Sequence, residues 1–192
     1  MRIIRKEEYR KTSWSGGCTT EIYLYPEDGD YGKRQFDYRI SSATIETEES
    51  VFTVLPGIAR VILPLDNTMV LFQGEAKIVL SPYEPYGFDG GMRTKSRGIN
   101  RDFNLMMNHG KTGSVGVLII DGETSIIEEE ENTLYFYDKG TAPLGVGGMI
   151  LNPGDSILID KPERIEWVNR SPKLVILLKA VMTDLSLEQQ DE

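Results

Sequence analysis

In the run Arg101-Asp102-Phe103-Asn104-Leu105-Met106-Met107, strand alternation sets Asp102, Asn104 and Met106 on one face and Phe103, Leu105 and Met107 on the other. An acid and an amide inside an apolar run need partners, because a buried polar group without hydrogen bonds is costly. That face either closes an internal hydrogen-bond network or looks into a pocket. Two arginines belong to the same constellation. Along Phe36 to Ile45, Arg39 and Ser41 share a face with Asp37 while Tyr38 and Ile40 point the other way, and Arg60 follows Pro56-Gly57-Ile58-Ala59 at the head of an apolar strand. A guanidinium fork holds a carboxylate bidentately, which suits a small dicarboxylate or amide-acid ligand. It pairs equally well with a structural acid, for which Glu21 and Asp102 are available. Thr19 and Glu21 alternate onto one face, and Gly16-Gly17 ahead of them either present N–H groups to an anion or form a simple turn.

Metal and nucleophile chemistry find few donors. His109 is the only histidine, and Asn108-His109-Gly110-Lys111 is a turn-like tetrapeptide that places it at the surface. First-row metal sites need several nitrogen donors converging on one point, and no EF-hand spacing of acids is present, so the reading is metal-free and cofactor-free. Cys18 is the only cysteine, which excludes an internal disulfide and fits the cytoplasm. As a nucleophile it has only the sequence-distant His109 for a base. The acidic run Glu128 to Glu131 reads as a solvated hairpin tip or loop.

The elements that must position these residues are short strands rich in β-branched and aromatic residues, separated by Gly, Pro, Asn and Asp clusters. Expected strands are Arg2 to Arg5, Thr19 to Tyr25, Phe36 to Ile45, Ala59 to Leu63, Met69 to Phe72, Ala76 to Leu80, Phe103 to Met107 and Val115 to Ile120. Further on come Asn132 to Tyr137, Gly148 to Leu151, Ser156 to Ile159, Arg164 to Val168 and Leu174 to Met182. Nineteen glycines and nine prolines leave few windows for a helix, the best being Thr183 to Gln190, which reads equally as a frayed tail. The halves echo one another: strand, hairpin, Pro-containing turn and strand recur from Leu71 through Phe88 and from Tyr135 through Ile159, the pattern of two small double-sheet jelly rolls. Trp14 would plug one barrel end or, failing that, stack on a ligand, and Pro56-Gly57 would form a turn.

A net charge of −9 without an extended basic run argues against nucleic acid and anionic membrane surfaces as partners. The spaced Arg93, Lys95, Arg97 and Arg101 read as a solvated loop or strand edge. No apolar stretch approaches the roughly 18 residues of a membrane span. Exposed edge strands permit a homodimer by sheet extension.

Four stretches carry a family resemblance: Trp14-Ser15-Gly16-Gly17-Cys18-Thr19-Thr20-Glu21-Ile22, Tyr38 through Ile45, Phe52 through Arg60, and Asp102-Phe103-Asn104-Leu105-Met106. In order and spacing they resemble the successive signatures of the HutD/Ves family. Many of its members carry an Asn and a longer Gly/Ala run where this chain has Ser15-Gly16-Gly17-Cys18. The resemblance implies an all-β double cupin, two jelly-roll-type β-barrels packed as one unit, with residues 1–112 as a motif-bearing N-terminal barrel, 113–184 as a C-terminal barrel and 185–192 as a tail. It also implies a link to histidine catabolism and a pocket for a small acidic compound of that pathway, with no established enzymatic activity.

The reading is therefore a binding or regulatory protein that holds a small polar or acidic metabolite in its N-terminal barrel. Arg39 and Arg60 would bind carboxylate, Asp102 and Asn104 would read amide or imine hydrogens, and Thr19, Glu21 and Ser41 would complete the polar lining. The alternatives are a cofactor-independent hydrolase or isomerase with Glu21 or Asp102 as general base, and a purely structural interaction module.

Overall fold

Turn residues punctuate the chain every few positions, and the segments between them are too short and too β-branched for helices, so hydrogen bonding is satisfied by strand pairing. The computed structural model describes residues 1–184. Its strands are β1 (Arg2–Ile4), β2 (Arg10–Trp14), β3 (Gly17–Tyr25), β4 (Tyr38–Ile45), β5 (Glu49–Val51), β6 (Ala59–Pro64), β7 (Met69–Gln73), β8 (Ala76–Leu80), β9 (Tyr86–Asp89), β10 (Thr94–Arg97), β11 (Asn100–Met107) and β12 (Lys111–Ile120). They continue as β13 (Thr124–Glu129), β14 (Thr133–Phe136), β15 (Leu144–Val146), β16 (Met149–Leu151), β17 (Ser156–Ile159), β18 (Glu163–Val168) and β19 (Val175–Asp184). Among the described residues a single 3-10 turn, Lys6–Glu8, interrupts them. The fold is all-β, built of antiparallel sheets, none of which closes on itself among the described residues. No helix is long and apolar enough to cross a membrane.

Two compact units share the chain. The first comprises Tyr9–Val115 and, of the described residues further on, 182–184. It contains a six-stranded sheet in the order β2-β3-β4-β11-β6-β9 and a four-stranded sheet in the order β5-β10-β7-β8. Ile45 and Ile62 of the larger sheet pack with Met69, Leu71 and Leu80 of the smaller, and each such buried aliphatic contributes about 1.5–3 kcal/mol. The second unit comprises Met1–Glu8 and Gly116–Val181. Its sheets run β1-β17-β14-β19-β12 and β13-β18-β15-β16, around a core centred on Trp167, whose ring meets Tyr135 edge-on at 5.2 Å between centroids. The first eight residues thus belong with the later part of the chain, because β1 pairs with β17, Ile3 opposite Ile157.

Three sequence expectations are corrected. Glu128 and Glu129 are strand residues of β13, not a loop. Glu129 is buried because its carboxylate accepts hydrogen bonds from the Tyr135 hydroxyl and, at 3.1 Å, from Lys179 Nζ. The basic spacing at Lys95 and Arg97 lies on β10, which runs between β5 and β7 rather than at a sheet edge, with Thr94 and Ser96 turned inward and the two cations turned to solvent. The expected helix from Thr183 to Gln190 begins instead as the end of β19, and residues 185–192, including the expected tail, lie outside the described residues.

Candidate functional site

One face of the six-stranded sheet is the floor of a cavity of about 580 Å³ in the first unit. Register determines what stands there. Met106 on β11 is flanked across the strands by Arg39 on β4 and Arg60 on β6. Asn104 is flanked by Ser41 and Ile62, and Asp102 by Ala43 and Pro64. Further out, Glu21 of β3 pairs with Ser41 and with Arg10 of β2, and Thr19 pairs with Ala43 and Thr12. A bulge between Glu21 and Tyr23 inserts Ile22 and reverses the alternation beyond it, so Glu21 opposite Ser41 and Leu24 opposite Arg39 both stand on the cavity side, where Leu24 joins the Phe36, Leu55, Ile58 and Met106 cluster. The β2–β3 turn needs glycine: a Cβ on Gly17, whose φ is +151°, would lie 1.8 Å from the Thr44 carbonyl oxygen.

All seven sequence-selected residues, Thr19, Glu21, Arg39, Ser41, Arg60, Asp102 and Asn104, line this cavity. They are not equivalent. Arg39 is already committed: Nε donates to Glu21 Oε2 at 2.7 Å, Nη1 donates to Ser41 Oγ at 3.2 Å, and the guanidinium lies 4.0 Å from the centre of the Tyr31 ring. Arg60 is not committed. It is 6% exposed, its Nε has no hydrogen-bond partner, and its charge rests on two aromatic faces, Phe52 at 4.9 Å and Phe88 at 5.2 Å. Burial pushes its pKa down, opposed by the field of Asp102. The Asp102 carboxyl is 4% exposed, and burial pushes its pKa up to about 7 against the pull of Arg60 and the Ala43 amide. Asn104 presents a buried Oδ1 with no hydrogen-bond donor.

An unpaired guanidinium, an unpaired amide oxygen and a carboxyl that changes protonation near neutrality, all on one cavity floor, can bind an anion, accept an N–H and take up or give a proton. The sequence reading missed Tyr31 and Phe52 on the walls, Phe88 against the Arg60 guanidinium, and Arg10 and Thr12 of β2. Only the alternation Arg10, Thr12, Trp14 could have signalled a strand there. Trp14 does not plug a barrel end; it is 38% exposed, lines the cavity, and its Nε1 donates to Thr19 Oγ1 at 3.3 Å. His109 is exposed in the turn after β11 and is not part of this cavity. Among the described residues no three His, Cys, Asp or Glu side chains converge to hold a metal ion.

The fold and the cavity define an all-β protein of paired antiparallel sheets with a polar pocket over one of them. The chain belongs to the HutD family, whose model matches residues 6–176. Its fold is similar to that of a conserved protein of unknown function from Pseudomonas aeruginosa PAO1, at 21% identity and a TM-score of 0.77 over 95% of this chain and 98% of that one. It is likewise similar to HutD from Pseudomonas fluorescens SBW25 in a formate condition, at 24% identity and a TM-score of 0.69 over 95% and 98% of the two chains. AerE from Microcystis aeruginosa shares the fold at 8% identity and a TM-score of 0.69, over 92% of this chain and 97% of that one. No match is found among curated proteins.

Proposed function

We propose that this protein is a metal-independent binding protein of the HutD type that captures a small carboxylate-bearing metabolite in the cavity of its first unit. The observation that carries the reading is Arg60: a buried cation left without a carboxylate is costly, and the group that would relieve the cost is an anion from solution. Arg60 takes the carboxylate, Asn104 Oδ1 accepts an N–H of the ligand, and Thr19, Glu21, Ser41 and the Arg39 pair complete the polar wall. A role in histidine utilisation follows the family, and the compounds to try first are the small acids of histidine breakdown. The matching arrangement of one smaller and one larger sheet around a core in each unit supports a double cupin of two jelly-roll-type barrels.

A ligand at a hundred times its dissociation constant adds about 2.7 kcal/mol to stability, visible as a rise in Tm. Arg60→Met keeps the aliphatic stem between Phe52 and Phe88, so the apo Tm should hold while the rise produced by carboxylates disappears. An unchanged rise in that variant removes Arg60 from the site. The reading of the cavity as a cofactor-independent hydrolase or isomerase has one observation in its favour, the near-neutral Asp102 carboxyl, which suits a general base. Turnover of a bound carboxylate that is lost in Asp102→Asn would establish it.

A further inference from the structure

Arg60 on β6 and Asp102 on β11 share the cavity floor, yet they do not form an ion pair: neither makes a salt bridge within 4.0 Å among the described residues. Met106, the cross-strand partner of Arg60, is four positions along β11 from Asp102, about 13 Å of backbone, and Asn104 stands midway. The space between the cation and the acid is therefore part of the cavity, not a closed contact. The other charged or titratable groups on that cavity are Glu21 on β3, Arg39 on β4, Arg10 on β2, and Asp30 and Tyr31 in the loop between β3 and β4. Glu21 and Arg39 neutralise each other at 2.7 Å, and Asp30 is met by Lys33 at 3.3 Å. The wall next to β5 adds Ser50, Val51, Phe52 and Thr53, none of which is charged. Arg10, largely exposed, lies 4.0 Å from the Glu21 carboxylate, which leaves Arg60 and Asp102 as the two buried charged groups on the cavity without an ion-pair partner among the described residues.

We infer that an anion entering this cavity is taken up together with a proton, with Asp102 as the group that receives it. The inference rests on the reading of Arg60 as the anion's partner. In the free protein the field of Arg60 is what favours the ionised Asp102; an anion seated on Arg60 cancels that field and adds a negative charge of its own beside a buried carboxyl. Both effects drive a solvent proton onto Asp102, and no bond in the ligand breaks. The neutral acid no longer repels the bound anion, so the site meets a single negative charge with one net positive charge. A ligand with a second carboxylate deep in the cavity finds no second free cation there.

The test uses the full chain with sodium acetate and sodium formate as probes. Dissociation constants come from thermal-shift titrations between about pH 6 and about pH 9, where both probes are fully ionised, and proton uptake is counted with an indicator dye in weakly buffered solution at about pH 8. The expected result is a dissociation constant that is level below about pH 7 and weakens by up to tenfold per pH unit above it, with a proton taken up per anion bound. In Asp102→Asn the pH dependence and the proton uptake should both vanish. Binding by the wild type with no proton uptake overturns the inference while leaving the anion site intact. Persistence of the same pH profile in Asp102→Asn overturns it also, by assigning the titration to another group. Absence of any carboxylate effect in the wild type removes the anion site itself and the inference with it.

Discussion

Replacing Asp102 by Asn changes the pH dependence of stability in a direction that the burial of this side chain dictates. The Asp102 carboxyl titrates at about 7 in the folded protein and at 3.8 in an exposed chain, so the folded state holds a proton that the unfolded state has released throughout the window between these values. Stability contributed by this group therefore falls as pH rises through the window, and the whole cost is present above about pH 7. At about 1.4 kcal/mol per pH unit the cost amounts to about 4 kcal/mol, of which about 2.5 kcal/mol accrues between about pH 5 and about pH 8. Asn carries no such proton. Urea unfolding of both proteins across that range should show the variant gaining on the wild type by about 2.5 kcal/mol, with equal m-values. Curves that stay parallel to within about 0.5 kcal/mol would refute the reasoning, because they would mean that Asp102 reaches water or a partner in the folded protein.

Two further outcomes follow from the ion pairs. Glu21→Gln leaves the 8%-exposed Arg39 guanidinium without its carboxylate and should lower unfolding free energy at pH 7 by about 3 kcal/mol in a urea titration. Lys179→Met deprives the buried Glu129 of its cation and should cost about 2 kcal/mol, and Glu129→Gln in the same chain should recover part of that loss in a double-mutant cycle.

The parts of this protein legible in its sequence are those where side chains alternate strongly. Asp102, Asn104 and Met106 face one way because the strand period is two, and Ala76–Leu80 forms a strand with the expected bounds for the same reason, whereas Ser156–Ile159 does so as a short apolar run buried on both faces. Strands without that contrast escaped. All five residues of β2 are exposed, and Trp14 is the one apolar side chain on the face that borders the cavity, too little to mark a strand. On β10 the inward residues are Thr94 and Ser96, and the former is tolerated because Gln73 Nε2 donates to its hydroxyl at 3.0 Å. Partner choice was the other gap. Sequence offered Glu21 and Asp102 to either arginine, and only register places Glu21 on Arg39 while Arg60 is left between two phenylalanine rings. Glu129 misled for a related reason: its cation, Lys179, lies 50 residues further along the chain.

The assignment of β1 to the later unit sets a clock. The pairing partner of Ile3, Ile157, is made more than 150 residues after it, a wait of roughly 10 to 30 s at ordinary rates of synthesis. The earlier unit has its own debt to the future, since the Tyr38 hydroxyl donates to the Thr183 carbonyl at 2.5 Å and that residue is made 145 residues later. Each unit thus keeps an unfilled place through most of translation. A nascent chain stalled near Val115 would hold the cavity's floor strands without their last contact and β1 without any partner, an open strand for chaperones or for neighbouring nascent chains to find.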